Sequence, residues 1–461
     1  MLEKCVNLKI SNDRRFIIKE NGEPFFWLAD TAWELFHRLE CDEAVEYLAT
    51  RASQGFTVIQ AVALSEFDGL TVPNAYDRLP LLKNKDGNFD PTTPDVEPET
   101  ERDSSSYWEH MDFIIDRACS LGLYIGLLPT WGDKFNIGWG KGPEIFTPEN
   151  AFVYGKWIGE RYRNKSNIIW IMGGDRPLEN ETHEDIVRNM ATGIKLSTGN
   201  KHLMTYHPVG FNSSSKYVHD ELWLDFNMIQ SGHGGINIKN YEFIQKDYAL
   251  YPVKPTLDGE PRYEDHPVDF KADNGYFDDY DVRVAAYWSM LSGACGHTYG
   301  HHCIWSFNTE KKDYFVMDWK KAIHRPGAEN MTHLKKLFTS RPFLELASWQ
   351  ELLNENYSGA NYMSVSRGKK YAYVYTPNGL DIKINMNMLA DVPKIENETK
   401  IKYTAYWYNP RNGEYIFADS AENTEDFRFK EVVTFVPPSS GRNSDWVLVI
   451  DFSNKNGEDN D

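Results

Sequence analysis

The chain has 461 residues, 41 % of them hydrophobic and 14 % aromatic, and a formal net charge of −19. That length exceeds one small core and suits a large domain with a smaller one beside it. The acidic balance, without any Lys/Arg run, argues against a nucleic-acid partner, which needs a basic surface to displace counterions. No apolar run of about 18 residues is present to span a membrane.

The first residues, MLEKCVNLKIS, lack the apolar stretch of a signal peptide. The expectation is a secreted or periplasmic protein whose signal has been removed, with a cytosolic protein as the alternative. From residue 25 onward, short apolar runs alternate with amphipathic helical patterns. Strands are predicted over 25–30, 56–64, 123–131, 168–175, 202–208, 225–233, 254–260 and 297–307. Helices are predicted over 42–54, 106–121, 148–163, 183–197, 239–250, 279–291 and 328–339. Pro148 marks a helix start, and Gly55 and Gly122 mark helix ends. The strands are continuous apolar runs, as expected when both faces are covered. Eight such strands alternating with helices predict a (β/α)8 barrel over residues 1–345. The stretch 209–224 is only weakly helical, and a doubly wound sheet is disfavoured because no GxGxxG follows the first strand.

After about residue 343 the pattern changes to short, partly alternating runs over 362–366, 370–375, 382–387, 405–408, 432–436 and 446–451. Turns such as Pro377-Asn378-Gly379 and Asn409-Pro410-Arg411-Asn412-Gly413 separate them. They predict a small antiparallel, β-sandwich-like domain over 346–453, followed by a polar tail over 454–461. The five cysteines (Cys5, Cys41, Cys119, Cys295, Cys303) are odd in number and lack a CxxC spacing, so free thiols are expected.

In a barrel the chemistry sits at the C-terminal ends of the strands. The first strand ends on Asp30, with Trp33 following. The third ends on Trp131 and Asp133. The fourth is WIMGGDRP, an apolar strand that runs through two glycines to Asp175. The fifth ends on His207, and the sixth runs from Gln230 through Ser231-Gly232 to His233. The seventh is DGEP, with Glu260 followed by Tyr263 and Glu264. The eighth carries Tyr299, His302 and Trp305. Each of these has a plain alternative. Asp30 and Asp133 suit helix caps, Asp175 and Glu260 suit turns, and Trp131 and Trp305 suit packing at the rim. What the alternatives leave unexplained is that nearly every strand turns polar or aromatic at the same end.

The cluster His297, His301, His302, Cys303 matches no zinc spacing, and no GxSxG elbow is present, so no metal, cofactor or serine nucleophile is expected. Paired carboxylates at the tips of the fourth and seventh strands remain. A general acid and a nucleophile on either side of a sugar ring are what glycosidic cleavage needs. The glycines before Asp175 are read as leaving room for that sugar. The many aromatic residues suit it too, since rings stack on apolar sugar faces. The rival is a carbohydrate-binding barrel without turnover, which would need no carboxylate pair.

In layout the chain resembles the retaining glycosidases of the family-5-like barrel superfamily, clan A, which carry Asn-Glu after strand four and a nucleophilic Glu after strand seven. It departs from them in having Gly174-Asp175. That departure, with FFWLADTAW, PTWGD, WIMGGDRP, MIQSGH, DGEPRYE and TYGHHCIW, resembles the apiosidase-like family, glycoside hydrolase family 140, over residues from about 10 to 345. The resemblance implies Asp175 as acid/base, Glu260 as nucleophile, and apiose-linked pectin, rhamnogalacturonan II, as substrate. Asp30, Trp33, Trp131, Asp133, His207, Gln230, His233, Tyr263, Tyr299, His302 and Trp305 are the expected substrate-binding residues.

Overall fold

The computed structural model describes residues 5–96, 106–312, 314–386, 388, 401–422 and 431–454. Eight short parallel strands form the barrel: β1 (Trp27–Thr31), β2 (Val58–Val62), β3 (Tyr124–Leu128), β4 (Ile168–Gly173), β5 (Met204–His207), β6 (Asn227–Gln230), β7 (Thr256–Asp258) and β8 (Gly296–Tyr299). Every residue in these strands is buried, which is why they read as unbroken apolar runs. They pair in the order β6-β7-β8-β1-β2-β3-β4-β5. The remaining seam, β5 to β6, is bridged by the Asp225 amide donating to the Met204 carbonyl at 2.8 Å and by the Thr205 hydroxyl donating to the Phe226 carbonyl at 2.6 Å.

The helices α1 (Cys41–Ser53), α2 (Tyr107–Ser120), α3 (Pro148–Tyr162), α4 (Glu181–Thr198), α5 (Asn240–Tyr248), α6 (Asp279–Leu291) and α7 (Pro326–Thr339) cover the outside. Reciprocal side-chain caps start α1, α2, α3 and α6, among them Ser106 with Glu109 and Thr147 with Asn150. Between β5 and β6 only one helical turn forms, Ser215–Val218. The sequence pattern passes over two hairpins, Leu8–Ile10 with Ile17–Lys19 and Leu81–Lys83 with Phe89–Pro94.

One expected strand is shortened. The run 297–307 leaves the sheet after Tyr299; His301 forms an isolated bridge with Glu264, and residues 302–307 coil into turns. There His301 Nε2 lies 3.1 Å from Asp265 Oδ2, and its Nδ1 accepts from the Cys303 amide at 3.0 Å. All five cysteines are free thiols.

The C-terminal part holds β9 (Ala347–Ser348), β10 (Ser364–Arg367), β11 (Tyr371–Thr376), β12 (Ile382–Asn385), β13 (Ile401–Tyr408), β14 (Tyr415–Glu422), β15 (Val432–Phe435) and β16 (Trp446–Asn454). Six of them form one antiparallel sheet, β9-β10-β11-β16-β13-β14, and β12 pairs with β15. The expected tail beyond Asn454 lies outside the described residues.

This sheet is fastened to the barrel by a buried charge network. Arg283 on α6 donates to Asp445 through Nε at 3.1 Å and Nη2 at 3.0 Å. Tyr375 and Arg411 also donate to Asp445, at 3.1 Å each. Stacked rings flank it: Tyr241 on Tyr362 at 3.8 Å and Tyr287 on Tyr375 at 4.8 Å between centroids.

Candidate active site

At the tip of β4 three successive residues adopt left-handed backbone: Gly173 (φ 89°), Gly174 (φ 118°) and Asp175 (φ 48°). The glycines have a packing reason. A Cβ on Gly173 would lie 2.5 Å from the His207 carbonyl oxygen, and one on Gly174 would lie 3.0 Å from the Trp131 ring. The expectation that they leave room for a sugar is therefore corrected: protein fills that space. Asp tolerates the left-handed region better than most residues, yet such a conformation is strained and marks a position with a reason to keep it. Arg176 behind it is buried; its Nη1 donates to the Asp175 carbonyl at 2.7 Å and approaches Oδ2 at 3.2 Å.

At the tip of β7, Glu260 is held between two imidazoles. His207 Nε2 lies 2.9 Å from Oε2, and His233 Nε2 lies 3.1 Å from Oε1. His233 in turn stacks on His266 with ring centroids 4.2 Å apart and packs against Tyr263.

These surroundings drive the two carboxyls apart. Burial, and next the Glu260 charge, push Asp175 up to about 6, against the opposing pull of Arg176, His207 and a hydrogen bond from Gln230. Burial also acts to raise Glu260, but the His207 and His233 contacts outweigh it and hold Glu260 down at about 2. Mildly acidic solution thus finds Asp175 carrying a proton and Glu260 without one. Different surroundings push two carboxyls of one cleft in opposite directions.

Asp175 and Glu260 line one cleft of about 820 Å³ together with Trp33, Trp131, Gln230, His233, Tyr263 and Trp305. Five expected sugar ligands do not reach it. Asp30 is fully buried and accepts from Arg51 Nε and the Tyr47 hydroxyl, both at 2.6 Å. Asp133 is paired with Lys134 Nζ at 2.9 Å. The Tyr299 hydroxyl donates to Glu264 at 2.6 Å. His302 Nε2 lies 3.0 Å from the Tyr314 carbonyl, and its ring stacks on Phe315. His207 is buried behind Glu260 and acts on it rather than on substrate. A strand-end polar group is consumed internally whenever a helix or loop brings it a partner, which spacing along the sequence does not reveal. Trp131 is only 2 % exposed and packs on Trp33 at 5.2 Å, so it walls the cleft rather than offering an open face.

The cleft also carries residues that the sequence reading passed over. Glu34 and Glu66 lie on its wall with Arg38. Burial pushes Glu34 up to about 7 despite Arg38 and Lys134. Glu66 is likewise raised, by burial first and then by the Glu34 and Asp175 charges. Glu66 follows β2, and the strand-end rule applied to Leu64-Ser65-Glu66 finds it. At the mouth stand four well-exposed rings, Trp139, Phe211, Phe270 and Tyr314. Among the described residues no group of His, Cys, Asp or Glu is arranged to hold a metal ion, and no helix is long and apolar enough to cross a membrane.

Two carboxyls, facing one aromatic-rimmed cleft from the fourth and seventh strand tips of a (β/α)8 barrel, suit a glycoside hydrolase, and the comparisons with known proteins agree. The chain belongs to the apiosidase-like family: residues 11–345 match the family model described as "Apiosidase-like, catalytic domain". Residues 349–451 match a second model, named for a collagen-binding domain of a collagenase. A solved glycoside hydrolase is 31 % identical, with a TM-score of 0.82 over 97 % of each chain. A family 5 glycoside hydrolase from Bacteroides vulgatus ATCC 8482 is also 31 % identical, with a TM-score of 0.82 over 96 % of this chain and 93 % of that one. A cycloisomaltooligosaccharide glucanotransferase from a Paenibacillus species, 9 % identical with a TM-score of 0.58 over 92 % and 85 % of the two chains, shares the fold alone. The curated proteins contain no match to the chain.

Proposed function

We propose that the protein is a retaining glycosidase of apiose-containing pectin side chains, those of rhamnogalacturonan II, with Glu260 as nucleophile and Asp175 as acid/base. What carries the mechanism is the placement of two carboxyls on one cleft: burial raises Asp175, while His207 at 2.9 Å and His233 at 3.1 Å clamp Glu260 and lower it. In the first step a Glu260 oxygen bonds to the anomeric carbon, the glycosidic bond breaks, and the Asp175 proton goes to the leaving oxygen. In the second step Asp175, now ionised, takes a proton from water. The water oxygen bonds to the anomeric carbon, and Glu260 departs as a carboxylate. His207 and His233 keep Glu260 ionised and therefore nucleophilic before attack, and they receive it again as the leaving group. A barrel that only bound sugar would have no use for this division of labour.

Family membership and the polar lining of the cleft support the substrate. The cleft is lined by Glu34, Glu66, Asp175 and Glu260 with Arg38, polar groups that suit the hydroxyls of a neutral residue such as apiose. The test is incubation with a panel of plant polysaccharides and rhamnogalacturonan II oligosaccharides, with reducing ends and released fragments measured. Apiose-terminated fragments from the native protein and none from Glu260→Gln are expected. Absence of release from every pectic substrate would overturn the substrate assignment.

A further inference from the structure

The exposed rings at the cleft mouth have different neighbours. Phe270 meets His233 edge-on with centroids 5.9 Å apart, on the Glu260 side of the cleft. Tyr314 packs on His302 and Phe315. Trp139 belongs to the Asp175 side: the buried Arg176 guanidinium lies 4.3 Å from its ring centroid and approaches Asp175 Oδ2 at 3.2 Å. Arg176 covers the inner face of the indole, yet Trp139 is still 59 % exposed and lines the cleft. The loop that carries it is tied down. The Gly132 amide donates to the Gly174 carbonyl and Asn136 Nδ2 to the Pro177 carbonyl, both at 3.0 Å, while the Gly142 amide donates to Asp133 Oδ2 at 3.2 Å. Glycines let this loop close on Arg176, for a Cβ at Gly132 or at Gly140 would lie 2.7 Å from an Arg176 side-chain atom. The result is a flat ring, backed by a buried cation and open on its other side, which is the shape that stacks on the apolar face of a sugar.

We propose that Trp139 is the platform on which the sugar ring of the leaving group stacks, a pyranose that is either neutral or a uronate. The inference rests on the glycosidase reading above and adds a specificity residue to it. The leaving oxygen takes its proton from Asp175, so the ring attached to that oxygen lies beside Asp175. Trp139 is the exposed ring that shares a neighbour, Arg176, with that carboxyl. The deep end of the cleft is walled by Trp33, Trp131 and Tyr263, each 2 % exposed, and holds the sugar that Glu260 attacks. A probe that fills only the deep end therefore ignores Trp139, and one that spans the glycosidic bond covers it.

The test uses full-length Glu260→Gln protein, which retains the cleft and does not turn over. The probes are apiose alone and a rhamnogalacturonan II oligosaccharide with its apiosyl linkage intact. Hydroxyl-radical oxidation of Trp139, read by mass spectrometry, is expected to fall at least threefold with the oligosaccharide and to stay unchanged with apiose. In calorimetric titration, adding Trp139→Ala should weaken the oligosaccharide at least tenfold and apiose less than twofold. Adding Trp139→Tyr, which keeps a flat ring, should hold the oligosaccharide within about threefold, a rescue that a loop-folding role would not produce. Oligosaccharide binding that leaves Trp139 unprotected, or equal losses for both probes in Trp139→Ala, would overturn the inference while the glycosidase reading stood. No binding of the oligosaccharide would overturn the inference together with the proposed substrate. The catalytic assignment is judged separately, by azide rescue of Asp175→Asn.

Discussion

Replacing Asp175 by Asn separates the acid and base duties proposed for it and measures what each is worth. The side chain keeps its size and its Arg176 neighbour, so the fold and the Glu260–His207–His233 cluster should persist. What disappears is a proton. Burial and the Glu260 charge raise the Asp175 carboxyl above the ordinary carboxylate range, so that more of it carries a proton in mildly acidic solution. General acid help is worth about 10²–10⁴-fold, or roughly 3–5 kcal/mol of barrier. A natural glycoside with a poor leaving group should lose all of that. A nitrophenyl glycoside leaves as a stable anion and should still glycosylate Glu260. The intermediate should then accumulate as a burst, because no base activates water, and added azide, which needs no deprotonation, should speed its release. Asp175→Glu is expected to fail despite restoring a carboxyl. One added methylene moves the group roughly 1–1.5 Å, a misplacement that can cost about 10²-fold, and Glu is less at home than Asp at φ 48°. Stopped-flow release of nitrophenolate with and without azide is the assay. Equal losses on good and poor leaving groups, with no azide effect, would refute the role of Asp175 and return the Gly-Gly-Asp sequence to a turn.

The pH dependence has a defined sign. kcat/KM should fall as pH rises through about 6, where Asp175 loses its proton, and Glu260 should stay ionised down to about 2, which a rate profile on a stable substrate checks. Because the folded Asp175 is raised above its unfolded 3.8, the native state binds more protons between those values and loses stability as pH rises through them. Asp175→Asn should therefore raise Tm more at pH 8 than at pH 4, as thermal denaturation at both would show. Asp30→Asn breaks the buried pair with Arg51 and should cost about 3–5 kcal/mol by urea unfolding, with KM unchanged in the folded fraction; a change in KM without loss of stability would restore Asp30 as a sugar ligand. Asp445→Ala strands the buried Arg283 guanidinium and should cost about 3–5 kcal/mol. Deleting residues from 346 onward should lower solubility through the uncovered Tyr241, Tyr287 and Trp288, and a soluble truncation unable to bind small oligosaccharides would contradict a purely supporting role for the β domain.

The barrel was legible because its strands are buried on both faces and its helices carry caps and glycine stops: all eight strands and seven helices appear near their expected places. Where a pattern is local and periodic, the sequence displays it. The hairpin near residue 90 and the strand Tyr415–Glu422 escaped because one is short and the other is an exposed edge that mixes polar and apolar residues. Polar strand tips pointed to the cleft, yet they could not separate groups that face it from groups that face a partner. Asp30 lies within β1, in register with Ile59 of β2, and Arg51 on α1 takes it inward, whereas Glu66 lies beyond the end of β2 and lines the cleft. That distinction lies in contacts between residues distant in the chain, as does the histidine clamp on Glu260, assembled from β5 and the segment after β6. The exposed rings at the mouth sit on loops, where no periodicity marks them.

The stereochemistry of the first product tests the central claim most directly. Proton NMR of the sugar released in the opening minutes, before mutarotation, is expected to show the anomeric configuration of the substrate, as a covalent intermediate on Glu260 and carboxyls about 5–5.5 Å apart require. An inverted anomer would mean that water attacks the substrate directly, and would remove Glu260 from the role of nucleophile.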